Sequence, residues 1–304
     1  MMMTLASGPI LLLLAALTAS VECFSTTNWV GWTQSAGLTT RENVPRADTK
    51  LRMKLSSGEV FDRRSILTII PAAVASVALS PNVALADDKK KVVVVGGSGW
   101  LGAHVDKLLL EKGCDVVSVA RSSPDEQKSK IQTNLGGSLA TNGGSISYVS
   151  LDALSDDLTS TFQGASAVVS CVGVAPGSKN MRDGNGKVNV RIADAAKAAG
   201  VSKLVYVSVA SEIANGPAKF LFGDYVKGKQ EAEAGITKDF GSSDSLILKP
   251  GIVDGAPPGE IRPPGPPGMT PIPVNTLAKA AVAGALGNLV GVIDGSDAIV
   301  TASK

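Results

Sequence analysis

The sequence predicts an α/β fold, a doubly wound parallel sheet with helices on both faces, over residues 90–304. Three observations point to it. Strand-like and helix-like segments alternate along this stretch, the pattern of a parallel sheet built from βαβ units. Lys91-Val-Val-Val-Val95 is an unbroken β-branched run, as in a strand covered on both sides. Glycines at 96, 99 and 102 then turn the chain into residues 100–112, whose apolar positions recur at helical spacing.

The elements follow in order. Runs rich in Val, Ile and Leu predict strands over 91–96, 115–120, 146–150, 165–171, 203–208 and 245–249. Helical periodicity predicts main helices over 100–112, 152–162, 186–199, 225–238 and 274–286. Residues 135–145, rich in Gly, Asn and Ser, read as a loop, and the eight prolines of residues 255–273 exclude regular structure there. No internal repeat or heptad run is present. After the sixth strand the chain leaves room for only a very small substrate region.

The first turn carries the chemistry. Strand, glycine turn and helix start come in the order that a dinucleotide pyrophosphate requires, the Rossmann arrangement. Gly96 allows the turn, Gly99 lets backbone approach the phosphates, and Gly102 lets helix pack against strand. Trp100, Leu101 and Gly102 open the helix, where unpaired N–H groups and the positive dipole end favour an anion. The second strand ends at Arg121-Ser122, where NAD-preferring sites place an acidic residue for the ribose 2′-hydroxyl. A guanidinium suits a 2′-phosphate, so NADP(H) is expected over NAD(H); one charge-assisted contact contributes ~1.5–3 kcal/mol. An ordinary surface arginine is the plainer alternative. Asp152, just past the third strand, suits a helix N-cap.

The G-x-x-G-x-x-G spacing, with Val188-Asn-Val190, Lys203-Leu-Val-Tyr-Val-Ser208, Tyr225-Val-Lys-Gly-Lys229, Lys249-Pro-Gly251 and Pro273-Val-Asn275, resembles the extended and atypical short-chain dehydrogenase/reductases over residues 90–304. Within them the chain is most similar to the organellar group related to the 39 kDa accessory subunit of respiratory complex I, which includes members associated with ubiquinone synthesis or plastid lipid droplets. The resemblance implies that Tyr225 exchanges a proton with the substrate oxygen, and that Lys229 binds the nicotinamide ribose and favours the phenolate. A cation ~4 Å away at an effective dielectric of ~20 contributes at most ~4 kcal/mol, roughly three pKa units, toward neutral-pH acid–base work. The resemblance also places Asp152 at the adenine edge, where a helix cap explains it equally well, Val172 and Gly173 beneath the nicotinamide, and Pro250 at the cofactor's edge. It also asks for a hydroxyl at the end of the fifth strand; Ser208 and Ser211 are the candidates, although in many extended members that position falls nearer Ala210.

Composition narrows the alternatives. The first 86 residues stand apart from the predicted core. Residues 1–23 read as a signal peptide and residues 24–62, beginning at Phe24, as a plastid transit-like segment resembling the bipartite presequences of secondary plastids. Residues 63–86 open with the paired arginines Arg63 and Arg64 and read as a twin-arginine thylakoid signal, or as a retained anchor. Thylakoid lumen or thylakoid association is therefore expected, with plastid stroma, plastoglobule or mitochondrion as alternatives. Beyond residue 86, basic and acidic residues number 22 each, which argues against nucleic-acid binding. The single histidine, His104, excludes a His-rich metal site, and no metal is expected. Cys114 and Cys171 are expected as free thiols at opposite ends of the sheet. Two functions remain: an NADPH-dependent reductase of a carbonyl on a quinone- or isoprenoid-type substrate, or a non-catalytic NADPH-binding subunit or assembly factor of an organellar membrane complex.

Overall fold

A computed structural model describes residues 89–216, 218–255 and 270–304; residues 1–23, 24–62 and 63–86, read in the sequence as targeting signals, lie outside the described residues. The elements run β1 (Lys91–Val95), α1 (Trp100–Glu111), β2 (Asp115–Ala120), α2 (Pro124–Leu135), β3 (Ser145–Ser150), α3 (Thr159–Phe162), β4 (Ala167–Ser170), α4 (Val188–Ala198), β5 (Lys203–Val207), α5 (Ser211–Asn215), α6 (Ala218–Leu221), α7 (Gly223–Phe240), β6 (Ser245–Lys249), β7 (Val253–Asp254), β8 (Ile272–Pro273), α8 (Val274–Ala285), β9 (Gly291–Asp294) and α9 (Ser296–Ala302). Seven strands form one parallel sheet in the order β3-β2-β1-β4-β5-β6-β9. The order reverses between β1 and β4, so a crevice opens at their carboxyl ends, where open α/β sheets bind ligands.

The valine run shows why the sheet is covered on both faces. Val92 and Val94 join the layer formed with Leu109 and Leu110 of α1 and Leu277 of α8. Val93 and Val95 point the other way, into the layer with Ile192 of α4 and Ile236 of α7. Alternate Cβ directions along one strand thus feed two cores, and no polar alternation is tolerated.

All six predicted strands form, with ends differing by a residue or two. Several expectations need correction. The predicted helix over 152–162 shrinks to α3, because Asp152 and Asp156 spend their carboxylates locally: Leu154 N–H donates to Asp152 Oδ1 (2.9 Å) and Asp152 N–H to Asp156 Oδ2 (2.8 Å). Such bonds compete with the helical ladder. Helix α2 was not among the predicted helices, although Ser123, Pro124 and Glu126 spell its capping box. The sheet also gains a seventh strand, β9, from Gly-Val-Ile-Asp beyond the last predicted helix. Of residues 255–273, 256–269 lie outside the described residues; at the far end Ile272 and Pro273 pair with Val253 and Asp254 rather than remaining irregular. Cys114, buried, and Cys171 are free thiols.

Candidate dinucleotide site and active centre

Gly96 adopts φ +85°, a left-handed conformation that glycine reaches without strain, and its N–H donates to Val119 O at 2.7 Å. Gly99 is the N-cap of α1 and has no side chain to occupy the helix end. Ala103 N–H donates to Gly99 O at 2.9 Å, so the N–H groups of Trp100, Leu101 and Gly102 before it have no intrahelical acceptor. A Cβ on Gly99 would meet only Gly96 O, at 3.1 Å, with open space otherwise. A Cβ on Gly102 would overlap Gly96 O outright. Gly99 thus keeps a cradle open while Gly102 keeps the turn packed, and free donors at the positive end of a 12-residue helix fit a dinucleotide's pyrophosphate. Gly97 was passed over in the sequence: a Cβ there would strike Ser118 Oγ and lie 2.7 Å from Asp106 Oδ2.

Arg121 stands exposed just past β2 and makes no ion pair among the described residues. The turn presenting it is clamped by Gln127, fully buried, whose Nε2 donates to Ser122 O (2.9 Å) and Val149 O (3.0 Å). Ser150 Oγ donates to Arg121 O at 3.2 Å. Asp152 sits past β3, and its Oδ1 serves the local turn described above.

At the end of β4, two buried asparagines shape the floor. Asn185 Nδ2 donates to Val174 O (3.0 Å) and Met181 O (2.8 Å), and Asn189 Nδ2 donates to Val172 O at 3.3 Å. Ser170 Oγ donates to Asn189 Oδ1 at 2.5 Å. Asn185 lies in a π-helical turn, Asp183–Lys187, that leads into α4. Such widened turns recur at functional sites. Here it packs so closely on α7 that a Cβ on Gly228 would come within 2.7 Å of Arg182 O. The sequence predicted ordinary helix from residue 186 and gave no role to Asn185.

Tyr225 and Lys229 share a face of α7, as their spacing predicts. Lys229 is buried, and its Nζ donates to Val207 O at 3.0 Å. That Nζ lies 3.4 Å from where a Gly173 Cβ would stand, so the ammonium reaches between the ends of β4 and β5. It lies 5.1 Å from the Tyr206 ring centroid and 5.8 Å from that of Tyr225. Burial lowers the Lys229 ammonium to about 8, opposed by Glu233. Burial raises the Tyr225 phenol to about 12, which corrects the expectation of a phenol drawn toward neutrality. Loss of solvation is what sets it. Burial also raises the Cys171 thiol beside Lys229, leaving it no nucleophile.

The serines divide. Ser208, 5 % exposed, donates its hydroxyl to Glu233 on α7, and Lys249 Nζ donates to the other oxygen of Glu233 at 3.2 Å. Ser208 is therefore tied into a β5–α7–β6 network rather than left for a substrate carbonyl. Ser211 opens α5, its backbone N–H donating to Asp294 Oδ1 at 3.0 Å, and stays part-exposed. Ala210 lines a cleft of about 200 Å³ with Glu212, Asp294 and Asp297 beyond the ends of β5, β6 and β9. Pro250 O accepts from Ala210 N–H at 2.8 Å, joining the two strand ends.

A family model described as NAD(P)H-binding matches residues 96–290, from the turn glycine through the strand-β9 approach. The chain belongs to this NAD(P)H-binding family. An uncharacterized chloroplastic protein of Arabidopsis thaliana is 31% identical over 191 residues, which make up 62% of this chain and 60% of that protein; the chain thus spans less than two thirds of its relative's length. Among solved structures, a Bacillus halodurans protein of the NAD-dependent epimerase/dehydratase type aligns with TM-score 0.52 at 17% identity, covering 70% of this chain and 98% of its own. The Bordetella bronchiseptica enzyme WbmH, solved with NAD+, aligns with TM-score 0.52 at 20% identity, over 68% and 75%. The fold is the Rossmann-type α/β fold of these NAD-dependent epimerase/dehydratase-type structures.

Proposed function

We propose that this chain is an NADPH-dependent reductase that acts on a carbonyl of a quinone- or isoprenoid-type substrate in a plastid. The observation that carries the reading is Lys229: a buried ammonium with no carboxylate of its own, reaching the crevice between Gly173 and Val207 one helical turn from Tyr225. Burying such a charge is costly, and one carbonyl and two ring faces offset only part of that cost. A dinucleotide supplies hydride when bound. The N–H groups of residues 100–102 would hold its pyrophosphate, Arg121 and Ser122 its 2′-phosphate, Asp152 its adenine edge, and Val172, Gly173 and Pro250 would border the nicotinamide. Lys229 would hold the ribose. With a phenol near 12, Tyr225 is protonated at neutral pH and suited to give a proton to the carbonyl oxygen, the reductive direction. The chloroplastic relative supports a plastid location.

One observation favours a second reading, a non-catalytic NADPH-binding subunit. Ser208 is occupied by Glu233, and Ala210 stands where many extended members carry the working hydroxyl. Bound cofactor would then stabilise the fold by ~2.7 kcal/mol at a hundred times Kd without turnover. Tyr225→Phe separates the two. It keeps the ring and its packing, so NADPH affinity should persist while turnover of short-chain quinones or test carbonyls falls ~10²–10⁴-fold. If Tyr225→Phe fully complements a deletion that has a clear defect, the reductase reading is wrong.

A further inference from the structure

We propose that Asp106 carries a proton beneath the glycine turn, and that an ionised Asp106 and a bound pyrophosphate exclude one another. This rests on the dinucleotide reading above and makes Asp106 a positioning residue that ties cofactor affinity to pH. Asp106 projects from α1 toward β2 and is 0% exposed. Neither carboxyl oxygen finds a settled hydrogen-bond partner, and the hydroxyl against it, Ser118 Oγ, is equally buried and otherwise unpartnered. Both groups press on Gly97, where even a methyl would collide with them, so the carboxyl lies directly behind the turn whose front face is the anion cradle.

Among the described residues no cation compensates this carboxyl. Along α1, Lys107 is half exposed and turned to Glu111 (3.9 Å), and His104 is packed edge-on against Trp100. From β2 comes only Ser118, from β3 Tyr148, and from the end of β4 Cys171. Burial, and then the Asp106 charge itself, raise Tyr148 and Cys171, so both are neutral and neither balances a carboxylate. Lys229 Nζ is spent on Val207 O. The Ser118 hydroxyl favours the ionised form, but burial outweighs it. Burial accordingly raises Asp106 to about 8. Ionisation would put a negative charge under the helix end that offers its positive pole to the phosphates. The protonated form is therefore the one that binds, and affinity falls as pH rises through Asp106's own titration.

The test measures NADPH and NADH affinity of the full 304-residue chain from pH 6.5 to 9.5, in wild type, Asp106→Asn and Ser118→Ala. With mutual exclusion, wild type should lose about tenfold in affinity between pH 7 and 9 relative to Asp106→Asn, for both cofactors. Titration of Lys229 or of the 2′-phosphate is common to the two proteins and cancels. Calorimetry at pH 8.5 in buffers of different ionisation enthalpy should show wild type taking up most of a proton more on binding than Asp106→Asn does. Ser118→Ala removes the group that favours the ionised form, so its decline should move to higher pH, which keeps the test alive if Asp106→Asn does not fold. Parallel affinity profiles with equal proton uptake overturn this proposal and leave the cofactor reading intact. Absence of binding in every protein at every pH overturns both.

Discussion

Lys229→Met should remove a pH dependence of stability that the wild type shows above neutrality. The ammonium is 6 % exposed, and the nearest carboxylate, Glu233, is engaged by Lys249 and Ser208. Burial therefore lowers it from 10.5 to about 8. The unfolded chain holds this proton more tightly than the folded one. Between pH 8 and 10.5 the unfolded state binds more protons, and stability rises with pH across that window. The rise is about 3 kcal/mol, from 2.5 pKa units at ~1.4 kcal/mol each. Below pH 8 the same sum is a standing cost of keeping the charge inside. Methionine fills similar space and does not titrate, so its stability relative to wild type should fall by about 3 kcal/mol from pH 7 to 10.5. Lost contacts with Val207 O and the two tyrosine rings shift the whole difference curve but not its slope. Urea melts of both proteins at half-unit pH steps measure it, other titrating groups cancelling in the difference. In parallel, NADPH affinity at pH 7 should drop about 10- to 150-fold, the worth of one charge-assisted contact. Parallel stability curves for the two proteins would refute the buried-charge argument; unchanged affinity would refute the ribose contact.

Gly99→Val should abolish NADPH binding with the fold retained, since its Cβ meets only Gly96 O at 3.1 Å, whereas Gly102→Ala should cost the fold itself because its methyl overlaps the same carbonyl; calorimetry with circular dichroism distinguishes them, and wild-type affinity in Gly99→Val would make the turn merely structural. NADPH should bind at least about tenfold more tightly than NADH, and Arg121→Asp should erase that preference. Equal affinities by nicotinamide fluorescence in the wild type would return Arg121 to an ordinary surface residue. A fluorescent fusion of residues 1–90 should enter a plastid and Phe24→Ala should stall it in the secretory route, with mitochondrial fluorescence counting against the compartment; Arg63-Arg64→Lys-Lys should hold the protein in the stroma if residues 63–86 are a twin-arginine signal.

What could be read along the chain was whatever depends on short spacing. The valine run, the three glycines and the four-residue step from Tyr225 to Lys229 are each set by local geometry, and each stands in the structure where its spacing puts it. The capping box at Ser123–Glu126 was equally local and equally readable. Charge states were not readable, because they depend on burial. The same Tyr225–Lys229 spacing that suggested an easily ionised phenol yields one raised to about 12, since desolvation depends on the whole surrounding fold.

Tertiary structure alone decided which distant polar groups meet. Ser208 finds Glu233 25 residues away, so the serine nearest the end of β5 is taken out of the site. Parallel pairing sets Ser118 opposite Val94, and the packing of α1 brings Asp106 to the same spot beneath Gly97. Asn185 becomes the floor of the crevice only because a π-helical turn points it back at Val174. A sequence carries the hydrophobic period that chooses a fold, because every residue of a strand or helix repeats that signal. A single buried hydrogen bond is stated once, by two residues whose proximity exists only after register and helix packing are fixed.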